Sequence, residues 1–183
     1  MIVTHEREKL IQAVNYFARH TRKFGKTKLY KLLYFLDFEH FKQTGRDVTG
    51  LTYFAWPMGP VPVSLHEEID NPKPDLTDAF DFERRAIGDG WRLNIEPKVP
   101  FSESHFSKRE MMILKNLAEE YRDTDADKMI EATHLENLPW DRVYNKDGRK
   151  QQEIPYDLAL RNDERDRMMK IIEERKDLLE KLK

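Results

Sequence analysis

Residues 27–44, TKLYKLLYFLDFEHFKQT, constrain the fold more than any other stretch. Leu29, Leu32, Leu33, Leu36 and Phe41 share one helical stripe. Tyr30, Tyr34 and Phe38 widen it until most of the circumference is apolar. A helix of that kind cannot lie on a surface; other elements have to surround it. The 183 residues suffice for one domain with a sizeable core. Gly45 supplies a C-terminal stop to this central helix.

The surrounding elements follow from periodicity and punctuation. Residues 5–20 place Leu10, Ala13, Val14 and Phe17 at helical spacing, and Gly25 breaks that helix. LTYFAW at 51–56, between Gly50 and Pro57, reads as a strand. Pro57, Pro60 and Pro62 lack a donor N–H, so no inner strand continues through them, and Pro62 opens a short helix over 63–69. NPKPD at 71–75 is a loop, followed by a short helix or turn near 76–86. DGWRLNIE at 89–96 is an alternating strand and the expected partner of 51–56. Ser107 and Glu110 form a capping box ahead of Met111, Leu114, Leu117 and Tyr121. Another short helix covers 125–134, Pro139-Trp140 stops the next segment, and a charged helix runs from about 156 to the end. The expected fold class is therefore α+β, mostly α-helical: a helical domain over 1–160 with a small antiparallel β-sheet, then a long C-terminal helix as an extension over 161–183. That last helix carries Met168, Ile171, Ile172, Arg175, Leu178, Leu179 and Leu182. The stripe either packs on the domain, pairs with a second copy as a homo-oligomer, or lies along a partner.

Composition excludes several classes. Lys and Arg number 32 against 34 Asp and Glu, so no chain-wide basic footprint for nucleic acid exists. Aromatics at 11% argue against disorder. Without cysteine there is no disulfide and no thiolate metal site. Charges from His5 to Lys9 interrupt any leader-like apolar run, and no apolar stretch approaches the roughly 20 residues that span a bilayer. The expectation is a soluble, cytoplasmic protein that does not use a membrane.

Chemical motifs are sparse. There is no P-loop, G-x-G-x-x-G, G-x-S-x-G or S-x-x-K. DTDAD at 123–127 lacks the Gly and Glu of a calcium loop, having Lys128 and His134 at those places, and reads as a turn capping the next helix. His40, His66 and His134, with Asp37, Glu67 or Glu136, lack the H-E-x-x-H spacing. No catalytic residue, metal ligand or cofactor is assigned, and a non-catalytic chain is expected. Charge is uneven, however: Arg22, Lys23, Lys26, Lys28 and Lys31 cluster without an acid, while 67–89 is rich in acids. The cluster is either a plain basic surface between two helices or a dock for an anion, an acidic protein face or nucleic acid.

Three segments together carry a resemblance. KLYKLLYFLDFEHFKQTGR, then YFAWPMGPVPVSLHEEI, then ATHLENLPW are similar to the Panacea domain, the SocA-like antitoxin domain. The matching positions are Lys28 to Phe35, Trp56 with Gly59-Pro60-Val61, and Thr133-His134 with Pro139-Trp140. The resemblance covers roughly 5–160. It implies a mostly helical domain whose job is to bind and neutralise a cognate toxin protein encoded next door. One branch of the family instead acts as an adaptor that delivers its toxin to the ClpXP protease. Some members carry a DNA-binding segment before the domain; here the resemblance begins near Met1, and such a module is not expected. The family turn often has an aromatic or charged residue between Trp and Gly, whereas this chain has Pro57-Met58, and methionine suits an adaptable contact. The expected partner-binding residues are Trp56, Met58, Gly59 and Pro60 of the turn, with Lys26 and Lys28 of the basic cluster. Trp56 either anchors an interface or, with Trp140, fills the core; Met58 and Pro60 are expected at the surface.

Overall fold

The structure, a computed structural model, describes residues 4–135 and 138–181. Helix α1 (Glu6–His20) leads to α2 (Lys26–Thr44), the apolar helix singled out above. Strands β1 (Phe54–Trp56) and β2 (Gly59–Val61) form a short hairpin, followed by α3 (Val63–Asp70) and α4 (Pro74–Ala79). A longer hairpin, β3 (Phe80–Ile87) and β4 (Gly90–Pro97), precedes α5 (Lys108–Glu120) and α6 (Ala126–Thr133). Helix α7 (Pro139–Asp141) runs into a π turn at Arg142–Lys146, then a 3-10 turn at Tyr156–Ala159 and the last helix, α8 (Asn162–Lys181).

As its sequence demands, α2 sits in the middle. Leu29, Leu32, Leu33 and Leu36 are buried, and α1, α5, α6, β2 and the 3-10 turn pack around it. Gly45 ends the helix at φ 68°, a left-handed conformation that glycine reaches without strain. One carboxylate lies inside this helix. Asp37 Oδ1 accepts from the N–H groups of Val48 (2.8 Å) and Thr49 (2.9 Å), and Oδ2 from the Thr49 hydroxyl (2.5 Å) and Tyr53 hydroxyl (2.6 Å). Burial, with Asp47 adding to it, pushes the carboxyl up to about 7, while the donors act in the opposite sense. Those four bonds offset much of the cost of burying the group and pin the 45–53 loop to α2.

The remaining helices start and stop for readable reasons. The capping box is formed: Ser107 Oγ accepts from Glu110 N (3.2 Å), and Glu110 Oε2 accepts from Ser107 N (2.6 Å). Asp125 caps α6 by accepting from Lys128 N (3.1 Å). The Arg7 guanidinium reaches both Glu68 and Asp75, tying α1 to α3 and α4.

Several expectations are corrected. The α+β, mostly helical class stands, with the antiparallel strands of the described residues in two two-stranded sheets, and it is the pairing that differs. β1 pairs with β2 in the register Phe54↔Val61, Ala55↔Pro60, Trp56↔Gly59, not with residues 89–96. Pro60 is accommodated because its strand needs no second ladder. The 80–87 half of the expected helix or turn is a strand, and it pairs with β4. Pro139 opens α7, where its missing N–H costs nothing, instead of stopping a segment. The last helix begins at Asn162, not near 156. Met168 and Ile172 pack on Gly45, and Arg175 donates to Thr44 O (3.3 Å). Ile171, Leu178 and Leu179 stay exposed. Leu182 lies outside the described residues.

Candidate functional site

Helix α2, the β1–β2 hairpin and the α6–α7 region, far apart in sequence, meet at Gly59. Its φ is 98°, and a Cβ there would stand 2.7 Å from Thr133 Oγ1 and 2.9 Å from both Cε and Nζ of Lys31. Glycine is required twice over, by backbone angle and by space. From α2, Lys31 is 1% exposed and its ammonium donates to Pro60 O (2.9 Å). Burial pulls that amine down to about 7. From α7, the Trp140 indole N–H donates to Trp56 O (2.9 Å). Each strand of the hairpin is thus held by a side chain gripping its backbone carbonyl.

The aromatic packing around these bonds is close. His134 stacks flat on Trp140 with ring centres 3.6 Å apart, and Trp140 stacks on Tyr144 at 4.7 Å. His134 Nε2 is buried without a hydrogen bond, and burial, then the Lys31 charge, holds its imidazole below the usual range against the pull of Asp141. On the other side Trp56 meets His66 edge-on at 5.2 Å, and the Tyr30 hydroxyl shares a hydrogen bond with His66 Nδ1 (3.2 Å). β1 is also backed by 151–154: Ala55 N donates to Gln152 O (2.9 Å), and Gln151 N donates to Ala55 O (2.8 Å).

Only the tip of this hairpin is well exposed. Met58 is 59% exposed, and Leu135, two residues beyond Thr133, is 60% exposed. Trp56 is half-buried against the core, in contact with both body and surface. Pro60, expected at the surface, is buried because its carbonyl is the acceptor for Lys31.

The basic cluster is dispersed by the fold. Lys28 is 1% exposed, and its ammonium donates to the carbonyls of Arg22 (2.8 Å), Arg122 (3.1 Å) and Thr124 (2.7 Å). Burial lowers it to about 8. It therefore joins the α1–α2 and α5–α6 loops and presents no charge to a partner. Lys26 pairs with Asp70 (3.1 Å) and Arg22 with Asp123 (3.0 Å), so the cluster is not an exposed face of like charge. Sequence reading missed Lys31 as the centre of the hairpin knot. Its signal was a lysine on the inward side of an apolar helix, a place that demands a buried acceptor.

Among the described residues no group of three or more His, Asp or Glu could hold a metal ion; Glu136, one of the residues weighed above, lies outside them. No helix among the described residues is long and apolar enough to cross a membrane. Lys31, the Gly59 hairpin and the His134–Trp140 stack thus lock together in a mostly helical domain. A family model described as "Antitoxin SocA-like, Panacea domain" matches residues 29–141, more than half of the chain, and the chain belongs to that family of antitoxins. No curated protein and no solved structure matches it.

Proposed function

We infer that this antitoxin neutralises a toxin protein by direct, stoichiometric binding and without catalysis. The observation that carries this reading is the knot at Gly59. Two side chains and a glycine fix a hairpin from both strands, and Met58, exposed beside Pro57, stands at its tip. A preformed apolar protrusion loses little conformational entropy on docking, which favours a binding role. Trp56, half-buried against the core, meets His66 edge-on and accepts from Trp140 through its carbonyl.

The test is co-expression with the toxin encoded beside this chain's gene. The expected outcome is rescued growth and a complex that survives purification, weakened by Met58→Glu or Leu135→Glu. No rescue together with no complex would overturn the reading. If the toxin's lifetime instead falls whenever this chain is present, delivery to a protease such as ClpXP replaces simple occlusion. Binding to DNA would be a different function. The dispersal of the 22–31 cluster speaks against it, and loss of salt-dependent DNA binding on Lys26→Glu would be its signature.

A further inference from the structure

The β3–β4 ribbon offers a second surface. At its base Phe80 and Ile95 are buried, but from Glu83 to Trp91 every residue is exposed. The two-residue turn at Gly88-Asp89, with Gly88 at φ 56°, makes Ile87 and Gly90 a hydrogen-bonded pair. Alternation along the ladder then makes Arg85–Arg92 and Glu83–Asn94 bonded pairs too, and leaves Ala86–Trp91, Arg84–Leu93 and Phe82–Ile95 as non-bonded pairs. On β3, the N–H and C=O groups of Phe82, Arg84 and Ala86 consequently point away from β4. Among the described residues no further backbone bond reaches them. The outer edge of β4 is different: the α1–α2 loop covers it, with Leu93 O 3.3 Å and Arg92 Cγ 2.9 Å from the place a Cβ on Gly25 would take.

The side chains of the non-bonded pairs share one face with Phe80, Phe82 and Ile95, the residues that enter or adjoin the core. That face does not stop where the body stops. It continues outward as Ala86 and Trp91, with Arg84 beside them, and Trp91 is 76% exposed. On the opposite face Arg85 is already tied to Glu83 (2.8 Å) and Glu96 (3.0 Å). Arg84 has no ion pair within 4 Å among the described residues, and only its more distant field reaches Asp70. An open edge, a bare tryptophan and an unpaired arginine thus coincide, and these two residue types dominate the energy of protein interfaces.

We propose that the outer edge of β3 takes up an extended, acidic segment of the toxin as a third strand, over Phe82, Arg84 and Ala86, with Trp91 and Arg84 as anchors. Backbone bonds supply the alignment, Trp91 covers an apolar side chain, and a carboxylate pairs with Arg84. A second copy of this chain fits the edge less well: antiparallel self-pairing centred on the three free positions sets Arg84 against Arg84. The proposal rests on the direct-binding reading for the identity of its partner.

Two measurements on the full chain test it. Amide exchange is followed by NMR with the short peptide Val-Thr-Glu-Thr-Val, whose valines and glutamate share one strand face, and with its Val-Thr-Lys-Thr-Val counterpart. At saturation the glutamate peptide should slow exchange at Phe82, Arg84 and Ala86 by about tenfold, and Arg84→Glu should transfer that preference to the lysine peptide. No protection at these amides, or equal protection by both peptides, overturns the proposal. In co-expression with the toxin, Trp91→Ala with Arg84→Glu should abolish capture while leaving the fold intact by circular dichroism. Capture by the wild type that survives both substitutions sinks the ribbon but leaves the direct-binding reading standing. If the wild type captures nothing, the direct-binding reading falls, and a toxin partner for β3 falls with it. Peptide protection would then show the edge to be strand-accepting only.

Discussion

At the scale of single residues, Gly59 and Lys31 are the sensitive points. Gly59→Ala places a Cβ where Thr133 Oγ1 and Lys31 already stand and holds an L-residue at φ 98°. It should cost about 2 kcal/mol or more, read from urea unfolding. Lys31 makes a prediction in pH. Its amine ionises near 7 in the folded chain against 10.5 for an ordinary lysine. Between those values the unfolded chain binds the proton that the folded chain has released, so folding is helped as pH rises through the window. The stability of the wild type relative to Lys31→Met should therefore grow from pH 7 to pH 10 and be flat below pH 7. A difference independent of pH would mean that the amine stays charged in place. Met58 behaves in the opposite way to Gly59: it holds nothing up, and Met58→Ser should change stability by no more than about 0.5 kcal/mol.

Among the elements, the helices were more legible than the strands. The central helix, its Gly45 stop and the Ser107–Glu110 box are local signals, and each formed as read. Removing the box through Ser107→Ala should cost about 1 kcal/mol in thermal unfolding. Strand partners are not local, and here the reading failed. The sequence points LTYFAW to a distant partner at 89–96, and its prolines argue only against an inner strand. Yet Pro57 suits the first turn position, and the left-handed Gly59 absorbs the twist that such a turn brings to a hairpin. The β3 sequence FDFERRAI alternates only at its start, where it meets the core, and the charges beyond reflect exposure on both faces. The basic cluster misled for another reason. Sequence shows charge but not depth, and Lys28 and Lys31 project inward to carbonyls that only the folded chain assembles.

For the molecule as a whole, the described chain is one core around α2 with two appendages, the β3–β4 ribbon and the end of α8. Helix α8 touches the core mainly through Met168, Ile172 and Arg175, and Leu178 and Leu179 extend the same apolar stripe into solvent. Leu178→Glu with Leu179→Glu should leave the melting temperature of the isolated protein unchanged, because neither leucine is buried. If the melting temperature falls and the protein's mass in light scattering halves, those leucines were holding two copies together. The hairpin knot has a consequence for how such a protein diversifies. Its clamps seize main-chain carbonyls and a glycine, which every variant of the tip would still possess. Residues 57 and 58 are therefore free to be rewritten, so that one chassis can be refitted to a new adversary without having to learn to fold again.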